Sequence, residues 1–127
     1  MVRYDATTEA VTVTVRPVYL DDKSQPLARR FVFAYSVRIE NHGTEEVQLL
    51  RRRWTIRDGR GRVQEIEGDG VVGRQPTIAP GAAHEYQSFC VLPTFDGDME
   101  GDYLMQRADG ARFRAEIPRF YLRAMCN

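Results

Sequence analysis

The apolar residues of this chain alternate with polar ones. Val11, Val13 and Val15 fall on one side of a segment whose other side carries Thr12, Thr14 and Arg16. Phe31, Phe33, Tyr35, Val37 and Ile39 repeat the pattern, with Val32, Ala34, Ser36 and Arg38 opposite. A two-residue period is what a strand with one buried face requires, because successive side chains leave the pleat on opposite sides; a helix would repeat every three to four residues. The same reading predicts strands over residues 47–57, with Trp54 and Ile56 on one face, and over 62–67, 85–92, 103–107 and 112–117. The 62–67 segment is short and polar, which suits a sheet edge. No segment longer than a turn or two carries a helical repeat.

Turn-forming residues separate these segments. Asn41-His42-Gly43 follows the second strand, Asp58-Gly-Arg-Gly61 the third, and Asp109-Gly110 the sixth, while Pro80-Gly81 precedes the fifth. Asp-Gly between two alternating runs is the strongest hairpin signal, since both central positions of that turn need positive φ. Seven short strands at such intervals predict an all-β, immunoglobulin-like or fibronectin type III-like Greek-key sandwich, with the whole of 1–127 as one domain and its core over about 11–122. At 127 residues the chain can bury a core without disulfides or a structural metal. Cys90 sits in an apolar run and reads as a core residue, and Cys126 lies near the C-terminus. The opening residues lack the apolar stretch of a secretory signal, and no run is long enough to span a bilayer, so a cytoplasmic location is expected, without membrane insertion. The formal net charge is zero, which supplies no overall field for nucleic acid, although all eighteen basic residues except Lys23 are arginine.

Residues 68–81 read as neither strand nor short turn, and connections of that length are often functional. Gly68-x-Gly70-x-x-Gly73 has the spacing of the dinucleotide-binding fingerprint. That chemistry needs a helix after the glycines, whose free N–H groups hold the pyrophosphate, and Pro76 and Pro80 forbid one. Two readings remain: a loop whose glycines supply unusual backbone angles, or an anion nest of N–H groups beside Arg74 that takes a phosphate-containing small molecule.

Asp96, Asp98 and Glu100 alternate as in the first half of a calcium loop, but the twelfth position, which should be a bidentate Glu, is Arg107, and no helices flank it. A weak divalent-cation site stands against an acidic turn between two strands. Arg51-Arg52-Arg53 lies in a strand, so its members face alternate ways, with Arg52 on the side of Trp54 and Ile56. His42 and His84 are the two histidines, one in a turn and one ahead of a strand. Ser88 and Cys90 are nucleophiles by type, without a nucleophile elbow or an evident base.

The run Gly68-Asp-Gly-Val-Val-Gly-x-Gln-Pro-x-Ile-x-Pro-Gly81, then Tyr86-x-Ser88, Gly97-x-Met99-x-Gly101-x-Tyr103-x-Met105, and earlier Arg-Arg-x-Trp54-x-Ile, resembles the ApaG family from about Val11 to Leu122. The resemblance implies a fibronectin type III-like sandwich in a bacterial cytoplasmic protein, and an association with cobalt resistance and magnesium efflux. It also implies a protein-interaction role and brings no catalytic residues.

These readings converge on a non-enzymatic binding module without a cofactor, whose partner is another protein and not nucleic acid. Gly68, Gly70, Gly73 and Arg74 are its candidate ligand-binding residues, with Asp96, Asp98 and Glu100 as a speculative metal set and no catalytic residue. If loops cluster at one end, the glycine loop and the acidic turn form one surface. The alternatives are a small-anion or nucleotide binder and a weak divalent-metal binder.

Overall fold

A computed structural model describes residues 2–125 and is built almost entirely of strand. The strands are β1 (Tyr4–Thr8), β2 (Val11–Tyr19), β3 (Phe31–Asn41), β4 (Val47–Asp58), β5 (Val63–Asp69), β6 (Thr77–Ile78), β7 (Ala83–Leu92), β8 (Asp96–Arg107) and β9 (Arg112–Arg123). One sheet has the order β1-β2-β3-β7 and the other β5-β4-β8-β9, with β6 beside β4, and all neighbours are antiparallel. The chain passes between sheets after β3, β6 and β7, so that β7 returns beside β3 and β8 beside β4. This is the Greek-key sandwich that the alternation predicts.

The core is the sum of the inward faces. Val11, Val13 and Val15 of β2, and Phe33, Tyr35, Val37 and Ile39 of β3, are buried against Trp54, Tyr103, Met105, Phe120 and Leu122 of the second sheet. Trp54 stands at the centre, edge-on to Tyr35 at 5.4 Å and to Phe120 at 5.9 Å between ring centroids. Edge-to-face packing suits the ring quadrupoles and adds about 0.5–1.5 kcal/mol per pair beyond area burial.

Two strands escape the sequence reading, and others are longer than it predicts. β1 hairpins onto β2 through Glu9 and Ala10, both at positive φ (46° and 68°), although neither is the Gly, Asn or Asp that such turns favour. β2 runs on through Pro17, beyond the last residue that pairs with β1, where a missing N–H breaks no ladder bond. β9 likewise continues through Pro118, because the register with β8 shifts between Met99 and Gly101 and the proline falls in that irregularity.

Residues 96–102 are not a turn. They form the first half of β8, and the turn lies at 93–95. The glycines there answer to neighbouring backbone: a Cβ at Gly101 would lie 1.9 Å from the Arg53 carbonyl oxygen, and one at Gly97 2.3 Å from that of Arg57.

Candidate functional site

The 68–81 segment is more ordered than its composition suggests. β5 ends opposite Arg51, and β6 begins opposite Gln48, so both lie on the same edge of β4, interrupted by an excursion of residues 70–76. At this point β4 carries an extra residue: its register with β8 shifts between Leu49 and Arg51. A bulge frees backbone groups from the ladder, and here the Leu50 carbonyl accepts from Gly70 N at 2.9 Å and from Gln75 Nε2 at 2.9 Å. Gln48 Nε2 donates to the Gln75 carbonyl at 3.1 Å, and Leu49 N to that of Pro76 at 3.0 Å.

Within the excursion, Val71 and Arg74 exchange two backbone hydrogen bonds, 2.8 and 3.1 Å, around Val72 and Gly73 at φ 48° and 75°. This is a two-residue hairpin with positive φ at both central positions. Gly73 adopts that conformation freely, but a β-branched valine does so under strain. Val71 points into the core and is 1% exposed, whereas Val72 at the tip is 67% exposed. Gly70 is required on two counts: its φ is 63°, and a Cβ would sit 2.0 Å from the Arg74 carbonyl oxygen.

Arg52 braces the loop from beneath. As the alternation requires, it lies on the inner side of β4, where its Nη1 donates to the Asp69 and Gly70 carbonyls at 3.0 Å each. The guanidinium occupies the space a Gly68 side chain would take, 2.8 Å from that Cβ position. Below it, the Tyr86 and Tyr103 hydroxyls share a short hydrogen bond, and Tyr35 bonds Ser88. Burial raises the pKa of all three phenols above the ordinary tyrosine value. Burial also pushes the Cys90 thiol up to about 11, which keeps it a poor nucleophile. His84, at the start of β7, has its pKa lowered by burial and then by Arg74.

The sequence candidates therefore separate. Gly70, Gly73 and Arg74 share one loop, whereas Gly68 lies in β5 opposite Arg52. The backbone N–H groups of Gly70, Val71 and Arg74, however, are already given to carbonyls of this protein. Asp98 and Glu100 lie on the outer face of β8, engaged by arginines. Arg57 reaches Asp98 at 2.9 Å and Glu100 at 2.7 Å, and Arg119 reaches Asp98 at 3.1 Å. Among the described residues, no group of three or more His, Cys, Asp or Glu side chains is placed to hold a metal ion. Arg107, the residue where a calcium loop needs glutamate, pairs with Glu9 and covers the Phe113 ring.

The glycine loop and the acidic segment do not form one surface, which corrects the sequence reading. Gly70 is fixed at Leu50, and Asp98 is level with Arg57, seven positions along β4. At roughly 3.3 Å per residue that is over 20 Å. His42 lies beside Glu40 at 3.6 Å on the surface, and His84 is opposite Ile39 in the β3–β7 ladder. Sequence reasoning assigned no role in the loop site to Gln48, Leu50, Arg52 or Gln75. A bulge in β4 leaves no mark in the alternation until the partner strand is known.

Fold and site together define a fibronectin type III-like sandwich that carries a braced, apolar-tipped hairpin at one sheet edge. The chain matches the ApaG domain over residues 21–107 and belongs to the ApaG family. It is 54% identical to Protein ApaG of Paramagnetospirillum magneticum over 94% of this chain and 92% of that protein. Identity to Protein ApaG of Brucella suis biovar 1 is 49%, with the same coverage. The crystal structure of a Bordetella pertussis protein designated ApaA superposes with a TM-score of 0.87 at 46% identity, covering 89% of this chain and 92% of that one.

Proposed function

We propose that this chain is a non-enzymatic protein-binding module that presents the Val71–Arg74 hairpin to a partner protein. The observation that carries the reading is Val72. A β-branched side chain is held in left-handed backbone, exposed to water, on a hairpin that Leu50, Gln75 and Arg52 anchor to the sheet. Strain and solvent exposure both disfavour valine here in the free protein, and an apolar pocket on a partner would recover the second of these costs. A hairpin fixed in advance loses little conformational freedom on binding.

The anion reading is weaker, because three of the N–H groups a nest would use are committed internally. The metal reading is weaker because arginines already occupy Asp98 and Glu100. On this view the family's association with cobalt resistance and magnesium efflux works through contact with another protein in the cytoplasm, not through ion capture by this domain.

The test is affinity capture with wild type and Val72→Asp, with captured proteins identified by mass spectrometry. The reading expects at least one reproducible protein that Val72→Asp loses, and recovery of that binding with the purified protein. Equal capture by both forms overturns it. Backbone shifts at residues 68–74 on titration with phosphate or pyrophosphate would favour the anion reading instead. Selective broadening of residues 96–100 by Co²⁺ would favour the metal reading.

A further inference from the structure

We propose that β7 is a pairing edge for a second copy of this chain, making an antiparallel dimer in which the two β1-β2-β3-β7 sheets join into one continuous sheet. β7 is the last strand of its sheet. It pairs with β3 from Phe31↔Leu92 to Glu40↔Ala83 without a bulge, so its free side is a straight row of backbone donors and acceptors. Proteins usually blunt such edges with lysine, proline, a bulge, inward charge or short length. Residues 86–92, Tyr-Gln-Ser-Phe-Cys-Val-Leu, contain none of these.

The outer face beside this edge is apolar. Phe89 is 60% and Val91 46% exposed, and their partners across the ladder are Ala34 and Val32. Val32 and Ala34 are themselves buried, so the exposed apolar surface beside this edge is that of Phe89 and Val91, with half-buried Val18 next to Ala34 on β2.

Charge selects a second copy as the occupant. The free stretch carries no charged residue to recognise an acidic or basic strand, and a copy of itself brings none. A two-fold axis through Phe89 places Phe89 opposite Phe89 of the second copy, and Gln87 opposite its Val91. Both Glu85 side chains then lie beyond the paired stretch, and each is already neutralised by Arg38. Cross-strand aromatic pairs favour this register. Zero net charge removes the long-range repulsion that would hold two copies apart.

The test is the mass of the full chain by sedimentation equilibrium from micromolar to near-millimolar concentration. The expected result is a concentration-dependent rise from 14.6 kDa toward twice that mass. Phe89→Lys/Val91→Lys should stay at monomer mass with unchanged circular dichroism, whereas Val63→Lys, on the β5 edge, should dimerise as wild type does. Phe89→Cys in a Cys126→Ser background reads the register and should form an intermolecular disulfide under mild oxidation. A wild type that stays monomeric throughout, or a dimer indifferent to the Phe89 and Val91 changes, overturns the proposal.

Discussion

β5 and β7 are the edge strands on the margin of the sandwich away from the β1–β9 contact, and they are built in opposite ways. β5 presents Glu65, Glu67 and Asp69 outward, and Asp69 is held by Arg51 at 2.6 Å. β7 over residues 86–92 is uncharged and shows Phe89 and Val91 to water. The difference continues across each outer face. Behind β5, β4 and β8 form a ladder in which Arg53 and Arg114 share Asp102 while Arg57 and Arg119 share Asp98. Behind β7 stand Val32 and Ala34, both buried, and half-buried Val18. An edge carrying like charges repels a second copy of itself, whereas an uncharged apolar edge does not. The charged sheet thus has the composition of a solvated surface, whereas in the other sheet the end around Phe89 and Val91 has that of an association surface and the end around Arg38 and Glu85 is charged.

The largest effect is expected where the charged sheet is most tightly assembled. Gly101→Ala drives a Cβ into the Arg53 carbonyl and parts β8 from β4 at the level of Trp54. It should lower unfolding stability by more than about 3 kcal/mol, measured by urea denaturation. A value under about 1 kcal/mol would show that the β4–β8 pair can relax around the intrusion. Next, Gly70→Ala, strained at φ 63° and blocked by the Arg74 carbonyl, should cost about 1–3 kcal/mol and shift the amide signals of residues 70–76.

Exchanging the character of the edges is a sharper test with a smaller energetic effect. Glu65→Val/Glu67→Val removes the charge from β5, and the variant should self-associate more strongly than wild type in light scattering while its fold is unchanged. If it stays as dispersed as wild type, charge is not what distinguishes the two edges.

Val72→Gly should raise stability by about 1 kcal/mol, because glycine accepts the left-handed backbone that valine resists. Under the proposed function the same change should weaken partner capture. A variant that is both more stable and fully competent would remove Val72 from the binding surface.

The smallest effect concerns pH. The folded pKa of His84 lies below its ordinary 6.5, so between those two values the unfolded chain holds more protons than the folded one. Stability therefore falls as pH drops through that window and is unaffected by His84 above it. His84→Gln should remove this part of the slope in melting curves taken across the window, leaving the carboxylate contribution at lower pH.

The legible and illegible parts of this fold differ for physical reasons. Val11, Val13 and Val15 announced a buried strand face because burial selects side chains directly, position by position. β1 announced nothing. Its turn uses Glu9 and Ala10 in left-handed backbone, and its residues Tyr4–Thr8 are mostly small and polar. The acids and glycines of residues 96–102 imitated a turn, because turns favour those residue types for their own local reasons. In β8 they answer to Arg57, Arg119 and the close carbonyls of Arg53 and Arg57, which are distant in sequence. The glycine loop was visible as a motif, but its support was not. Leu50 looks like any alternating residue until β8 and the loop are placed on either side of it.

By itself the sequence determined the class of fold, the inward faces of most strands, the edge position of β5 and the glycine loop as the place to look, since each depends on local periodicity or backbone preference. Only the tertiary structure decided that the loop is a braced hairpin with Val72 at its tip, that Asp98 and Glu100 are bound by arginines, and that β7 is the unguarded edge. Those outcomes depend on which strands become neighbours, and strand pairing is settled by the packing of the whole core, not by any one segment.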